Sequence, residues 1–570
     1  RSRVTAMSFD PSTYDFDRFL RYDDMVIWLQ HAAERRPDLI TLETYGHSYE
    51  GRKLWVAAIT DSSTGSHESK PAHWVDANIH AVEVTGGVAA LHLIHHLMTG
   101  AETNDPMVVQ ALRTRTFYVA PRVNPDGVEA ALADRPMFHR SSVRSWPWTD
   151  GHRWPGLHAE DVDGDGRILT MRIADPDGSW VEHPDDPRVM VPVPLDGMTD
   201  RPRYRLLAEG RVVDYDGYTV PTPRDPSGLD LNRNFPAGWS TTVTGSGDHP
   251  MSEPEIDALV RAVRARTNVC GYNAYHTFGG VLLRPSSTKP DSSLSPADVW
   301  TWNEFGKRGT ELTGYKVHSV YEDFTWDKSD VMSGAGDDWA YEHLGVFSWT
   351  TEFWDVIHHA TGERAHTFIW YEGPTPEQEL AVARWTDRHA PGSYVPWRAF
   401  DHPDLGPIEI GGCDVFHTWT NPPLSWLKKE VVPHAEFAVH QALASPRLEI
   451  GELKAESLGA NTWRVVLGVA NTGWLPTDIS GLARKSNLVL PMTVEIRVPN
   501  GEVIGTPARV KLGQLEGRAA FRLNGGAMSD GTPDRVRHEW IVSAASGTEI
   551  EVEARHVRAG RTSVRMVLEG

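Results

Sequence analysis

The chain has 570 residues, of which 40% are hydrophobic and 23% are charged, and its formal net charge is −21 at pH 7. It can bury a large core, which excludes global disorder and, with only Cys270 and Cys413 present, a small disulfide-stabilised fold. The acidic balance argues against a nucleic-acid or anionic-membrane partner, because both need a basic surface.

Hydrophobic patterns predict alternating helices and strands over most of the chain. Between residues 22 and 37, Met25, Leu29 and Ala33 recur at helical spacing. Asn124-Pro-Asp-Gly127 predicts a turn. Further apolar runs predict strands at residues 40–45, 54–59, 73–79, 116–123, 271–276 and 346–353, and helices at residues 85–98 and 253–266. Such alternation is typical of an α/β sheet with helices on its faces.

Two regions depart from this rhythm. Residues 145–228 are rich in Pro, Asp, Gly, Trp and Arg, which predicts a long insertion. From residue 446 on, short runs alternate apolar and polar side chains between turn residues, which predicts an all-β sandwich over residues 446–570. We therefore expect a first domain at residues 1–445 and an accessory β-sandwich after it.

No segment predicts export or membrane insertion. No apolar run approaches the ~20 residues that a membrane-spanning helix needs, and the N-terminal residues lack the apolar stretch of a secretory signal. We expect a protein without a membrane partner, either cytoplasmic or secreted after signal removal. The oligomeric state stays open.

The pair His80 and Glu83 is the first candidate for a metal site. The two residues follow an apolar strand and lie three positions apart, so that both can reach one cation. A catalytic zinc needs a third protein ligand and an open position for water. His276, at the end of another apolar strand, is the candidate. By itself this evidence is weak, because a chance pair and a core histidine would give the same pattern.

The order of the motifs along the chain adds to this evidence, because the sequence resembles the zinc carboxypeptidases, the family of carboxypeptidases A and B. The likeness extends from about residue 20 to about residue 390, apart from the insertion. Its segments are Tyr45-Gly-His-Ser-Tyr-Glu-Gly-Arg-Lys-Leu-Trp-Val56, His80-Ala-Val-Glu83, Pro121-Arg-Val-Asn-Pro-Asp-Gly127, Leu229-Asp-Leu-Asn-Arg-Asn-Phe235, Tyr275-His276, Ser333-Gly-Ala-Gly-Asp-Asp-Trp-Ala-Tyr341 and Phe347-Ser-Trp-Thr-Thr-Glu-Phe353.

The resemblance implies a mixed twisted sheet flanked by helices in residues 1–445 and a zinc ion at its edge. The ligands would be His80, Glu83 and His276, with water in the fourth position. Asp230 matches the carboxylate that orients the first histidine. Glu352 matches the general base and acid, which would take a proton from water and deliver it to the leaving amine.

The resemblance also implies residues that bind substrate. Asn232 and Arg233 match the pair that holds the terminal carboxylate, for which the planar fork of arginine is suited. Arg140 is the better match for the arginine that polarises the carbonyl group, and Arg144 is the alternative.

Two aspartates bear on specificity. Asp330 stands where these carboxypeptidases usually have a mobile tyrosine, which puts recognition of an ordinary peptide C terminus in doubt. Asp337 occupies the place at the base of the side-chain pocket, where an acid would favour substrates ending in Lys or Arg. The alternative is an aspartate that caps backbone amides in a turn.

The segment Asp161-Val-Asp-Gly-Asp-Gly166 inside the insertion resembles the opening of a calcium loop. Arg172 stands at the twelfth position in place of the bidentate glutamate, which excludes a standard EF-hand. Asp175 or Asp177 is the candidate to complete a non-standard site, and a solvated turn is the alternative. The aspartates that would bind calcium are Asp161, Asp163 and Asp165.

The sequence thus predicts a zinc metallocarboxypeptidase that hydrolyses the C-terminal amide bond of a peptide. The first alternative is a zinc amidase or endopeptidase that acts on cell-wall peptides or acylated amino acids. A binding protein with a degenerate site is the second, and the complete ligand set together with Glu352 argues against it.

Overall fold

The computed structural model describes residues 9–146, 153–221, 228–521 and 531–569. The helices are α1 Tyr22–Arg35, α2 Thr85–Thr103, α3 Pro106–Thr114, α4 Pro125–Ala131, α5 Pro254–Ala265, α6 Pro296–Thr313, α7 Gly336–Leu344, α8 Val356–Thr361, α9 Ile369–Glu372, α10 Pro376–His389, α11 Leu424–Ala444 and α12 Gly481–Lys485. The strands are β1 Ile40–His47, β2 Lys53–Ile59, β3 Ala72–Ala77, β4 Thr116–Ala120, β5 Gly156–Ala159, β6 Thr170–Ala174, β7 Trp180–His183, β8 Asp186–Pro192, β9 Tyr204–Ala208, β10 Gly210–Val213, β11 Val269–Thr277, β12 Val281–Arg284, β13 Lys316–Ser319, β14 Phe347–Phe353, β15 Tyr394–His402, β16 Gly406–Cys413, β17 Leu448–Gly459, β18 Thr462–Asn471, β19 Met492–Arg497, β20 Glu502–Ile504, β21 Arg509–Gly513, β22 Arg535–Ser543, β23 Glu549–His556 and β24 Gly560–Val567.

An eight-stranded mixed sheet forms the centre of the first part of the chain, in the order β1-β2-β4-β3-β11-β14-β12-β13. Strands β4, β3, β11 and β14 run parallel, so that their carboxyl ends meet at one edge. In this register His276 lies opposite Glu352 and Tyr275 lies opposite Ala77. The predicted mixed sheet flanked by helices is confirmed.

The two faces of this sheet are buried under different helices, because strand side chains alternate between faces. On one face Val75 and Tyr275 join the apolar core that includes α2 and α11. On the other face Trp74 and Tyr272 join the core that includes α5 and α7. Every residue of β3, β11 and β14 is buried, as is usual for strands covered by helices on both faces.

The segment Asn124-Pro-Asp-Gly127, where the sequence predicts a turn, is instead the start of helix α4. Asn124 is the N-cap, and its side chain accepts a hydrogen bond from the Gly127 amide at 3.0 Å. Pro125 fixes the backbone angle of the first helical residue, where its missing N–H costs nothing. Turn residues and helix-start residues are the same types, which is the reason for the difference.

The insertion forms strands that join a second sheet. Its strands β6, β7, β8 and β9 combine with β15 and β16 in the order β15-β16-β6-β9-β7-β8. Arg172 lies at the centre of this sheet, stacked against Tyr204 and Trp397 and paired with Glu182 and Glu409. Residues far beyond the insertion therefore complete its structure.

Two antiparallel four-stranded sheets, β17-β18-β22-β20 and β21-β19-β23-β24, share one apolar core after residue 447. Polar contacts join this part to the first. Asp298 on α6 accepts hydrogen bonds from the amides of Gly481 (2.7 Å) and Leu482 (3.1 Å). Arg558 donates to the carbonyl oxygens of Thr267 and Leu344.

Cys270 and Cys413 are both buried as free thiols. Among the described residues, no helix has both the length and the apolar character of a membrane span.

Candidate active site

The edge where the parallel strands end carries a cluster of three potential metal ligands. His80 and Glu83 lie in the loop between β3 and α2, and His276 lies near the end of β11. His80 Nδ1 is 2.8 Å from Glu83 Oε1, and His276 Nδ1 is 3.0 Å from Glu83 Oε2. The two Nδ1 atoms are 3.1 Å apart, and all three side chains are buried. Three residues separated by up to 196 positions thus converge on one point.

Local contacts hold the loop that carries His80 and Glu83. The Asn78 side-chain amide donates to the Glu83 carbonyl oxygen at 2.6 Å, and the Ser141 hydroxyl donates to the Ile79 carbonyl oxygen at 2.6 Å. The following helix α2 packs directly on β11, where a Cβ atom at Gly86 would lie 2.6 Å from the Tyr275 carbonyl oxygen. Only glycine permits this approach.

Asp230 fixes the orientation of the His80 ring. Asp230 Oδ1 lies 3.1 Å from His80 Nε2, on the side of the ring away from the cluster. A proton on Nε2 leaves the lone pair of Nδ1 free for a metal. Burial opposes ionisation of Asp230, but the charges of Arg140 and His80 outweigh it and hold the pKa of Asp230 well below its usual range.

The donor set fits zinc. Two imidazole nitrogens and one carboxylate, buried together, are the ligands of many catalytic zinc sites. Their lone pairs point at one another, which is costly unless a proton or a cation lies between them. The Thr277 amide also donates a hydrogen bond to Glu83 Oε2 at 3.1 Å, which fixes the position of the carboxylate as a metal ligand. We conclude that His80, Glu83 and His276 can hold the ion.

Glu352 lies beside the cluster, near the end of β14. Its side chain is buried, and its Oε2 atom has no hydrogen-bond partner among the described residues. Burial raises the pKa of Glu352 well above its usual range, and the charges of Glu83 and Asp337 raise it further, whereas Arg140 lowers it. A buried carboxyl group with a free oxygen is poised to exchange a proton with a bound molecule.

A cavity of about 240 Å³ joins these groups, and Arg140, Asn232 and Arg233 also line it. Arg140 Nη1 donates a hydrogen bond to Glu83 Oε1 at 3.2 Å, and Arg140 Nε donates one to Asp230 Oδ2 at 3.2 Å. The alternative, Arg144, is not a lining residue.

The position of Arg144 is set by other acids. Its guanidinium pairs with Glu253 at 2.8 Å and with Asp248 at 3.3 Å. Arg140 is therefore the one of the two arginines that lies at the cluster.

Asn232 and Arg233 lie in a short turn that begins at Asp230. Asn232 Oδ1 accepts a hydrogen bond from the Gly336 amide at 2.9 Å. Arg233 donates to the Asn232 carbonyl oxygen at 2.8 Å, and no described carboxylate lies within 4.0 Å of its guanidinium. An arginine that lines a cavity without an acid partner can bind an external carboxylate.

Asp337 caps a backbone amide and also lines the active-site cavity, so its part in specificity stays a prediction. Its Oδ1 atom accepts the amide of Asp338 at 3.0 Å at the start of α7, and its Oδ2 atom accepts the hydroxyl of Thr350 at 3.1 Å. It also lines the active-site cavity, where burial raises its pKa. Apolar side chains form the neighbouring wall: Leu283, Val320, Phe324 and Met332.

Asp330 lies on an exposed loop and does not line the cavity, and its amide donates to the Asp327 carbonyl oxygen. Two aromatic residues that sequence reasoning missed, Trp370 and Tyr371 on α9, line the cavity instead. The only sequence signal was a short aromatic run, Phe368-Ile-Trp-Tyr371, beyond the last recognised motif.

The acidic loop of the insertion has a third acid that the sequence did not indicate, since Glu209 joins Asp161 and Asp163 in one cluster. Arg398 pairs with Asp163 and, at 2.7 Å, with Asp165. A protein cation thus already neutralises part of the loop, and calcium binding stays a prediction.

Neither aspartate expected to complete the loop belongs to this cluster. Asp175 pairs with Arg205 at 2.8 Å and accepts the amide of Asp177 at 2.9 Å. The expectation that Asp175 or Asp177 completes the loop is wrong, because a β-strand carries the chain away from it before these residues.

Comparison with known proteins agrees with this geometry. Residues 25–155 and 168–368, more than half of the chain, match the zinc carboxypeptidase family. Residues 447–567 match a domain family of unknown function.

Curated relatives include carboxypeptidase A6 of Mus musculus, 22% identical over 61% of this chain and 63% of that protein. Zinc carboxypeptidase A 1 of Drosophila melanogaster is 32% identical over 29% of this chain and 38% of that protein. Carboxypeptidase B of Astacus astacus is 26% identical over 30% of this chain and 48% of that protein. Less than two thirds of each relative is covered.

Among solved structures, thrombin activatable fibrinolysis inhibitor aligns with a TM-score of 0.42 and 17% identity over 76% of each chain. Carboxypeptidase A of Helicoverpa armigera aligns with a TM-score of 0.39 and 18% identity over 67% of this chain and 77% of that chain. Because more than half of its length matches that family, the chain belongs to the zinc carboxypeptidase family.

Proposed function

We propose that the chain is a zinc metallocarboxypeptidase that releases the C-terminal residue of a peptide and holds one zinc ion. One observation carries the proposal: a single cavity contains the three-ligand cluster, Glu352 and Arg233, and among the described residues Glu352 Oε2 has no hydrogen-bond partner and Arg233 has no carboxylate partner. A metal, a proton acceptor and a carboxylate-binding group are what exopeptidase hydrolysis needs. Membership of the zinc carboxypeptidase family supports it.

Each residue of the cavity has a chemical role in this proposal. When bound, zinc supplies Lewis acidity, which polarises a carbonyl group and lowers the pKa of water. Glu352 accepts a proton from the attacking water and delivers it to the nitrogen of the leaving amine. Arg140 donates hydrogen bonds to the carbonyl oxygen as negative charge develops on it. Asp230 keeps the His80 ring in place throughout.

Substrate recognition in this proposal rests on charge. Asn232 and Arg233 bind the terminal carboxylate, with two parallel hydrogen bonds available from the guanidinium. Asp337 has no cationic partner within 4.0 Å among the described residues and lies beside an apolar wall. A lysine or arginine side chain matches this combination, because its stem is apolar and its end is cationic.

The test is release of free amino acid from N-blocked dipeptides that end in Lys, Arg, Phe, Leu, Glu or an amide. We expect release to require a free carboxylate and to be fastest for Lys and Arg. Cleavage of the amide-capped dipeptide would favour the amidase or endopeptidase alternative. No cleavage of any member by protein with one bound zinc would contradict the proposal.

The variant Asp337→Asn is expected to lower kcat/KM for the dipeptide ending in Lys by about 10- to 100-fold, because an opposite charge beside a buried cation is lost. The dipeptide ending in Leu should be affected much less. Asp338→Asn is the matched control, since Asp338 is an adjacent buried acid that accepts the Ser287 amide and does not line the cavity. An unchanged Lys-to-Leu ratio in Asp337→Asn would exclude this residue as the determinant.

A further inference from the structure

A second cavity, of about 430 Å³, lies between the six-stranded sheet and the segment that follows β11. Its volume is within the range of pockets that hold small ligands. Most of its wall is apolar or aromatic: Trp180, Val189, Val191, Leu206, Tyr394 and Trp397. The insertion strands and β15 therefore build a pocket that the central sheet alone does not have.

Only one layer of side chains separates the second cavity from the active-site cavity. On helix α9, Trp370 and Tyr371 line the active-site cavity, whereas Ile369 and Glu372 line the second cavity. Phe278 also lines the second cavity, and its ring stacks on Trp370 with centroids 4.9 Å apart and planes at 17°. The two cavities are thus neighbours across one short helix.

The charged residues of the second cavity already have partners, so the cavity does not select a charged ligand. The pairs are Arg188 with Asp186 and Asp387, Glu379 with the Tyr394 hydroxyl, and Glu372 with His366. The remaining surface favours an apolar group.

We propose that the second cavity receives an apolar side chain, aromatic or branched aliphatic, of the peptide substrate at a position before the scissile bond. The inference rests on the proposed function. Because α9 lines both cavities, a peptide whose last residue occupies the active-site cavity would reach the second cavity by continuing past α9, and an extended chain advances ~3.3 Å per residue. A few residues therefore suffice to cross a wall one side chain thick.

The test compares kcat/KM for N-blocked pentapeptides ending in Lys, in which one upstream position is Phe or Gly and the others are Gly. We expect Phe at one upstream position to raise kcat/KM about tenfold over Gly, as burial of an aromatic side chain allows. In Val415→Glu the Phe-to-Gly ratio should fall towards one, because Val415 lines the cavity and is 44% exposed, so that the charge enters without disturbing the core. Trp180→Ala changes another wall of the same cavity, and it should also lower the Phe-to-Gly ratio.

Val432→Glu is the matched control, because Val432 is similarly exposed at 42% and does not line the cavity. It should keep the wild-type ratio. A ratio of one at every position in the wild type, or an unchanged ratio in both cavity variants, would overturn the inference. Calorimetry with zinc-loaded Glu352→Gln measures the affinities of the same peptides without turnover, and the Phe peptide should bind more tightly than the Gly peptide. Failure of the wild type to cleave an N-blocked dipeptide ending in Lys would instead count against the proposed function.

Discussion

Replacing Glu352 by glutamine is expected to lower kcat for release of a C-terminal residue by about 10³-fold while the protein keeps its zinc. Glutamine preserves the size of the buried side chain but cannot accept a proton at neutral pH. Glu352 Oε2 makes no hydrogen bond to any described residue, so its removal should not disturb the ligand cluster. Steady-state kinetics measure the fall in kcat, and elemental analysis measures the zinc content.

Glu255→Gln is the matched control for this variant. Glu255 is equally buried but lies on α5, where its carboxylate accepts the Tyr49 amide. Its substitution should leave kcat within a few-fold of wild type. A Glu352→Gln protein that retains more than a tenth of the wild-type kcat would rule out proton transfer by this residue. Loss of zinc together with activity would mean that Glu352 acts by supporting the metal site.

Replacing His276 by alanine is expected to abolish both activity and high-affinity zinc binding. The change removes one of three ligands and takes a partner from the buried Glu83 carboxylate. Zinc stabilises the folded protein by an amount that grows with the logarithm of its concentration divided by Kd, about 2.7 kcal/mol at a concentration 100 times Kd. The wild type should therefore unfold at a higher temperature with zinc than after chelation, and the variant should show no such difference.

His434→Ala provides the comparison for this second prediction. His434 is buried on α11 beside Tyr315 and Phe353, outside the active-site cavity. This variant should lose stability but keep one zinc ion and a zinc-dependent unfolding temperature. Wild-type zinc affinity in His276→Ala would show that the metal binds elsewhere.

The sequence predicts the central sheet well because its strands are buried on both faces. The runs that become β3, β11 and β14 are rich in apolar and aromatic residues, and His80, His276 and Glu352 lie near or just beyond their carboxyl ends. Asp230 is different, since 150 positions separate it from His80. Local pattern alone gives no sign of that contact, and only the resemblance to a family pointed to it.

The second sheet is the main feature that the sequence did not predict. Its strands in the insertion have between four and seven residues, too few for a clear alternation. Their partners β15 and β16 come after residue 393, beyond the recognised motifs. Pairing at such separation depends on tertiary packing, which also explains why Trp370 and Tyr371 were not expected at the active-site cavity.

The contacts of Asp298 and Arg558 join the two parts of the chain, so we expect the parts to unfold together. Both side chains are buried, and each forms hydrogen bonds with backbone groups of the other part. Separating the parts would take the two amide donors from Asp298, which would keep only the Tyr341 hydroxyl, and would remove the Arg558 donor from two carbonyl oxygens, one beside β11 and one at the end of α7. The strand that carries His276 and the helix that carries Asp337 are thus anchored from the C-terminal side. The C-terminal sheets therefore serve as part of the scaffold of the catalytic cleft.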